Sequence, residues 1–169
     1  MLIGSASADL WIKSSAPDVD LQVTLSEIRP DGNETYVQTG WLRTSRRKLD
    51  EARSTVLRPW HTHLEVDAAP LPEGEFVEAR VEIFPFAHAF RAGSRVRITV
   101  AAPGGDRPLW KFRALDYDEE VSVEIAHSPE HPSRVVLPVV PGLDVPTELP
   151  PCPSLRGQPC RTYVEIENG

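Results

Sequence analysis

The sequence has no long hydrophobic run and no excess of basic residues, and each absence excludes a class of protein. No apolar stretch approaches the roughly 20 residues that a membrane-spanning helix needs. The apolar start, Met1–Gly4, is too short for the core of a signal peptide. We therefore expect no membrane segment and a cytoplasmic location. The formal net charge is −7, so a nucleic-acid partner, which needs a basic surface, is not expected.

Cysteine and the common catalytic motifs are also scarce. The two cysteines, Cys152 and Cys160, are too few for a disulfide scaffold or a tetrahedral metal site. They can close one short loop, and the sequence leaves open whether they are oxidised. No Gly-x-Ser-x-Gly turn, phosphate-binding loop, dinucleotide fingerprint or zincin motif is present. We therefore expect no cofactor, and no serine has a local signature of a nucleophile.

Proline and period-two alternation are abundant. The 17 prolines are about twice the usual share of ~5%, which indicates many turns and edge strands. Apolar and charged residues alternate over Val77–Ile83 and again over Val96–Val100, as in half-buried strands. The connection Phe84–Ser94 is too long for a tight hairpin. These two strands therefore either pair directly or lie in different sheets.

Alternation predicts six more extended segments, with turn residues between them. They are Ala6–Ile12, Leu21–Leu25, Tyr36–Arg43, Val121–Ile125, Val135–Val139 and Tyr163–Glu167. The alternation breaks at Glu27–Ile28, which predicts a bulge or a strand end. Thr44–Pro59 has little periodicity and is expected to form a loop, with a helical turn at Leu49–Arg53. The pattern predicts an all-β protein, a two-sheet antiparallel sandwich or jelly roll. We expect a single domain over 1–169, with 142–160 as a proline-rich irregular segment.

Two groups of side chains are candidates for metal binding. His61 and His63 share a face if their segment is extended, and Asp67 would be a third ligand on the same alternation. The alternative is a hydrogen-bonded pair of loop histidines, which we favour. Asp18 and Asp20 carry hard oxygen ligands suited to calcium, but a turn whose carboxylate caps backbone amides is the favoured interpretation. We assign no metal ligand.

The four tryptophans are candidates for an aromatic surface. Trp11, Trp41, Trp60 and Trp110 are suited either to stacking on sugars or to packing against the core or a partner. Trp11 lies on the polar side of its predicted strand. A free-standing carbohydrate-binding module is therefore one functional hypothesis.

Five short stretches occur in a recognisable order along the chain. They are Ser5–Ile12, Ser15–Leu21, Gly40–Arg43, Phe90–Arg97 and His131–Pro138. Together they resemble the C-terminal domain of the X-Pro dipeptidyl-peptidase and cocaine esterase family of serine hydrolases. The resemblance implies a jelly roll with galactose-binding-domain-like topology, packed against an α/β-hydrolase domain that this chain does not contain. The family's catalytic serine, aspartate and histidine belong to that other domain, so no catalytic residue is carried over.

The resemblance implies a non-catalytic accessory role, in which the domain packs on its hydrolase partner and shapes the cleft or a dimer. Aromatic and imidazole side chains are the candidate contacts: Trp41, Trp60, His61, His63 and Trp110. In the family another strand precedes the position of Gly4, whereas this chain begins at Met1. An unpaired sheet edge at that place predicts a homodimer formed by edge pairing.

Overall fold

The computed structural model describes residues 1–103, 114–143, 145, 147–153 and 159–165. Eight strands lie in this part of the chain: β1 Leu2–Ser14, β2 Asp20–Ile28, β3 Asn33–Arg43, β4 Val77–His88, β5 Arg95–Ala101, β6 Val123–Ile125, β7 Arg134–Val136 and β8 Cys160–Thr162. The described helices are two 3-10 turns, Thr44–Arg46 and Glu65–Asp67. Neither is long and apolar enough to span a membrane.

The strands form two antiparallel sheets. In the first sheet β1 pairs with β4 on one side and with β6 and β7 on the other. The second sheet has the order β5-β2-β3-β8. The predicted all-β, two-sheet architecture is confirmed. Because β1 is paired on both sides, the unpaired edge that we expected beside the first strand is not at β1.

The core lies between the sheets, where the period-two pattern places it. Ala6, Ala8, Leu10 and Ile12 of β1 are all buried, and they face Ala79, Val81 and Ile83 of the neighbouring β4 along the register of the two strands. Leu21 and Val23 of β2 contribute from the opposite sheet. Burying one face of each strand fixes the register, because a slip of one residue would turn every apolar side chain outward.

β4 and β5 belong to different sheets, which decides between the two alternatives that the sequence left open. β4 is longer than expected and continues through Phe84–His88. Gly4 pairs with Phe86 and Ala6 with Ile83, so Phe84 and Pro85 together oppose one residue of β1. Pro85 therefore sits at a bulge, a position where its missing N–H costs no ladder hydrogen bond.

β2 ends at Ile28, where the break in alternation predicted a bulge or a strand end, and the bulge of this pair lies on β3 at Val37. Two other sequence expectations differ from the structure. The chain at Leu49–Arg53 is not helical, because Leu49 forms a β-bridge with His61. The last described strand is β8, which ends at Thr162; Tyr163–Glu165 follow it without strand structure, and 166–167 lie outside the described residues.

The two sheets approach closely where β3 passes β4. A Cβ added at Gly40 would lie 1.7 Å from the backbone oxygen of Glu82, so only glycine allows this approach. The Gln38 side chain donates to the backbone oxygen of Pro85 nearby. This contact brings the outward face of β4 next to that of β3.

Polar groups hold β8 and the end of the chain on the second sheet. Glu34 is 4% exposed and accepts from Arg97, Arg161 and Ser26 at 3.1, 2.9 and 2.7 Å. Burial alone would raise the pKa of Glu34, but these donors lower it below its ordinary value. The two cysteines form a disulfide that closes on the first residue of β8.

Candidate interaction surface

The connection from β3 to β4 contains a compact loop, residues 48–63, which we call the Trp60 loop. Its two arms meet through backbone hydrogen bonds from Asp50 N to Trp60 O at 2.8 Å and from Thr62 N to Lys48 O at 3.1 Å. The Asp50 carboxylate accepts from the backbone N–H groups of Ala52 and Arg53, the usual way in which aspartate closes a turn. This turn fixes the position of Arg53.

A second turn positions Arg58. Thr55 N donates to Arg58 O at 2.9 Å, and Arg58 N donates to Thr55 Oγ1 at 3.0 Å. The Ser54 hydroxyl then accepts from Trp60 N at 2.9 Å. Short polar side chains at the turn positions thus hold the whole loop with local hydrogen bonds.

Two arginines lie over the indole ring of Trp60. The guanidinium carbons of Arg53 and Arg58 are 3.8 and 4.4 Å from the ring centroid. Each contact of this kind contributes about 0.5–1 kcal/mol at an exposed site. Arg58 also pairs with Glu82 at 3.0 Å. Arg53, in contrast, has no carboxylate partner in the part of the chain that the structure describes.

Arg80 fastens the Trp60 loop to the outer face of the first sheet. Its Nη2 donates to the backbone oxygens of Thr55 and Val56, both at 3.1 Å, and its Nε donates to Asp9 at 2.8 Å. Asp9 is 2% exposed and also accepts from Arg134. Burial would raise the pKa of Asp9, but its hydrogen bonds, chiefly from Arg80, lower it. The anchor therefore stays ionised and holds Arg80 in place.

His61 and His63 lie in this loop but do not share a strand face, so their geometry gives no support to the metal site, the alternative that we did not favour. His61 is 7% exposed, whereas His63 is exposed and has φ 55° in the left-handed region. Their ring centroids are 5.7 Å apart. Asp67 lies in the second 3-10 turn. Among the described residues, no group of three or more His, Cys, Asp or Glu side chains is placed to hold a metal ion.

The surroundings of His61 keep its ring neutral. Burial lowers the pKa of His61 from 6.5 to about 4, and the nearby His63 adds to this lowering, while a hydrogen bond with the backbone of Arg80 opposes it. Nε2 of His61 is buried and has no hydrogen-bond partner among the described groups. A buried polar atom of this kind costs about 1–3 kcal/mol.

Trp41 lies on the same side of the molecule as the Trp60 loop. Arg80, Glu82 and Phe84 point outward along β4, two residues apart. Glu82 contacts Arg58 over Trp60, and Phe84 packs against Trp41 with ring centroids 5.6 Å apart. The outward face of β4 therefore joins the two tryptophans into one surface.

Of the other two tryptophans, only Trp11 belongs to the described part of the chain. Trp110 falls outside the described residues. Trp11 packs on His131, with ring centroids 4.8 Å apart, and His131 in turn lies 5.1 Å from Phe76. The aromatic contacts of Trp11 are thus made within the chain, and nothing in this geometry favours a sugar platform.

The aspartates proposed as calcium ligands have partners within the chain. Asp18 accepts from Thr44 Oγ1 at 2.9 Å and from the backbone N–H of Ser45 at 2.7 Å, the capping role that we favoured. Asp20 accepts both Nε and Nη2 of Arg43, at 2.8 and 2.9 Å. Both carboxylates therefore fix loops to the ends of strands.

Glu27, His88 and Ser94 lie together but do not form a catalytic triad. Glu27, which is 2% exposed, contacts His88 Nε2 through one oxygen at 2.7 Å and the Ser94 hydroxyl through the other. A triad needs the imidazole between serine and carboxylate, so that it takes the proton of the serine. In this arrangement Glu27 holds both groups, and burial, which would raise its pKa, is outweighed by its hydrogen bonds with His88 and Ser94.

A cavity of about 360 Å³ opens at one end of the sandwich between β2, β5 and β6. Its lining is mainly apolar, with Leu21, Val100 and Ile125 among its residues. The Asp20 carboxylate reaches it, but Arg43 and the backbone N–H of Leu115 already bind that group. The described lining therefore offers no free acid or base.

Comparison with known proteins agrees with this arrangement. The sequence profile of the X-Pro dipeptidyl-peptidase C-terminal non-catalytic domain matches residues 1–136. The chain belongs to this domain family. A putative serine esterase of Mycobacterium bovis is 30% identical over 141 residues, which are 81% of this chain and 21% of that protein. The cocaine esterase of a Rhodococcus species is 29% identical over 145 residues, 81% of this chain and 23% of that protein.

Solved structures give the same result for this X-Pro dipeptidyl-peptidase C-terminal-type domain. A CocE/NonD family hydrolase from Staphylococcus aureus matches with a TM-score of 0.66 and 27% identity, over 82% of this chain and 28% of that one. The chain thus spans between 21% and 28% of the length of these larger hydrolases. It corresponds to their non-catalytic domain.

Sequence reasoning selected Trp60, His61 and His63 by residue type but missed the arginines that surround them. Arg53 and Arg58 were visible only as charges in a loop without periodicity. Asp50 three residues before Arg53 and Thr55 three before Arg58 are turn signals that would have placed both side chains. The sheet contact that brings Trp41 to this surface has no local signal.

Proposed function

We propose that the domain serves as the non-catalytic accessory part of a serine hydrolase that acts on esters or peptides. It packs against an α/β-hydrolase domain and forms part of the wall of its cleft or supports a dimer. The observation that carries this proposal is the match of residues 1–136 to a non-catalytic domain of such enzymes. The lack of a triad geometry around Glu27 supports it.

The contact surface that we assign to this role contains Trp41, Trp60, His61 and His63 on the outward side of β3, β4 and the Trp60 loop. Tryptophan and arginine are the residues that most often dominate binding energy in interfaces. Trp110 remains a candidate contact by residue type. Homodimer formation through a sheet edge is also part of the proposal, with β4 and β6 at the ends of the first described sheet and β5 and β8 at the ends of the second.

Turnover measurements test the proposal. The purified chain is expected to leave p-nitrophenyl acetate and an X-Pro p-nitroanilide unchanged, because Ser94 and His88 are both bound to Glu27 and not to each other. A separately expressed α/β-hydrolase domain of this family should gain activity or thermal stability when the chain is added. Ester turnover by the pure chain that disappears in Ser94→Ala, or in another single serine variant, would contradict the accessory role.

A further inference from the structure

We infer that the Trp60 loop is the docking site for an acidic segment of the hydrolase partner, and that the Arg53 guanidinium receives a carboxylate of that segment. This inference rests on the proposed function and adds to it the site of contact and the chemistry of the partner. It depends on three observations: the local charge, the Arg53 guanidinium that has no carboxylate partner among the described residues, and the exposed apolar residues in and just after the loop.

The charge of this region is opposite to that of the whole chain. The Trp60 loop contains two arginines and one lysine against one aspartate and one glutamate, and Arg46 and Arg47 directly precede it, whereas the whole chain carries −7. One of these two carboxylates, Asp50, is bound by the amides of its own turn. A basic patch attracts an acidic partner segment and repels the same patch on a second copy of the chain.

Arg53 is held in a conformation that suits a carboxylate. Its guanidinium carbon lies over the Trp60 ring, 3.8 Å from the centroid. A planar guanidinium placed over a ring can keep its N–H edges available for two parallel hydrogen bonds. Arg58, over the same ring, already uses its Nε on Glu82. Because Arg53 is stacked before binding, less side-chain entropy is lost when a partner arrives.

Exposed apolar residues in the Trp60 loop and just after it along the chain make the surface suitable for a protein segment. Val56, Leu64 and Val66 are 58%, 57% and 87% exposed, and exposed aliphatic residues on a surface that carries arginine and tryptophan are typical of interfaces. The segment that fits this surface therefore carries carboxylates together with apolar side chains.

A peptide titration of the chain tests the inference without the hydrolase domain. The probe is a blocked ten-residue peptide of alternating glutamate and leucine. Its binding is followed through the NMR chemical shifts of the backbone amides of the chain. We expect shifts concentrated in residues 48–63. Raising the salt concentration should weaken the binding because exposed charges are screened. The same peptide with glutamine in place of glutamate should produce no such shifts.

Arg53→Glu and Arg95→Glu form a matched pair of variants. Arg95 is also exposed and also lies over an aromatic ring, 5.2 Å from the centroid of Tyr163, but on the other sheet. Arg53→Glu should weaken peptide binding at least about fivefold, because it removes one attraction between exposed charges and adds one repulsion. Arg95→Glu should leave it unchanged.

Three results would overturn the inference: equal effects of the two substitutions, equal binding of the glutamine peptide, or equal binding of a ten-nucleotide single-stranded DNA at residues 48–63. The last result would mean that the loop binds any polyanion. None of them bears on the turnover experiment, so the accessory role can hold while this docking site fails. The activity of the separate hydrolase domain distinguishes the two proposals in the same way. If the Arg53→Glu variant raises that activity as much as the wild-type chain does, the accessory role holds and the docking site is contradicted.

Discussion

Lowering the pH below 7 should destabilise the folded domain through His61. The unfolded chain binds a proton at this histidine near pH 6.5, whereas in the folded domain burial lowers the pKa of His61 to about 4. Between these two values the unfolded state binds more protons, so stability falls as the pH falls. The full contribution is present above pH 6.5. At 1.36 kcal/mol for each pKa unit, the loss reaches about 3 kcal/mol near pH 4.

Urea unfolding, followed by tryptophan fluorescence at pH 7 and pH 4, measures this loss. His61→Gln removes the titrating group, so its free energy of unfolding should change less between the two pH values than that of the wild type, by about 3 kcal/mol. His127→Gln, at an exposed histidine, is the matched control and should follow the wild type. Asp9, Glu27 and Glu34 also lose their favourable contacts when protonated at low pH, but this loss is common to all three proteins and cancels.

Parallel pH dependence of the wild type and His61→Gln would refute the reasoning. It would mean that the imidazolium is tolerated inside the fold, by movement of the Trp60 loop away from Arg80 or by entry of water. A second measurement separates these two possibilities. The tryptophan fluorescence of the folded protein should stay constant down to pH 4 if the loop keeps its place, and should change if the loop moves.

Two further substitutions test how the sheets and the Trp60 loop are held. Gly40→Ala should lower the free energy of unfolding by at least about 3 kcal/mol, because the new Cβ would lie 1.7 Å from the Glu82 oxygen. Gly32→Ala is the control: its site has open space but φ 80°, so the substitution should cost only about 1–2 kcal/mol. Similar urea midpoints for the two variants would contradict the close approach of the sheets. Asp9→Ala should lower the free energy of unfolding by about 3–5 kcal/mol, because it leaves the guanidinium of Arg80 without its buried partner. It should also increase protease cleavage within residues 48–63. A loss of stability without increased cleavage would show that Arg80 does not hold the loop.

The fold could be predicted where a strand has one buried face. In β1, alternation from Ala6 to Ile12 located both the strand and its core residues, since burial of one face requires period two. At the end of β2, the break in alternation at Glu27–Ile28 correctly indicated the strand end, because β2 ends at Ile28. The burial of Glu27, which is 2% exposed, could not be predicted in the same way, because its partners His88 and Ser94 come from far along the chain. No local pattern contains that information.

The candidate surface was predictable only in its residue types. Trp60 and the two histidines stand out in the sequence, and turn chemistry at Asp50 accounts for Arg53. The position of the loop depends on Arg80, which comes from a strand 20 or more residues later. Trp41 joins the surface because the sheets approach at Gly40, a contact between two strands that no single segment encodes.

The physical cost of the Trp60 loop is itself an argument for a binding role. The loop contains a buried histidine with an unsatisfied nitrogen, His61, and a non-glycine residue at φ 55°, His63. Each of these features costs on the order of 1–3 kcal/mol. A loop that only connected two strands would gain little from either. The hydrogen bonds from Arg80 and the turns offset these costs and keep Arg53 stacked on Trp60. Rigidity of this kind is useful when a partner must be bound without further loss of conformational entropy. The relatives that this chain matches are several times its length, which is consistent with a partner domain of the kind proposed above.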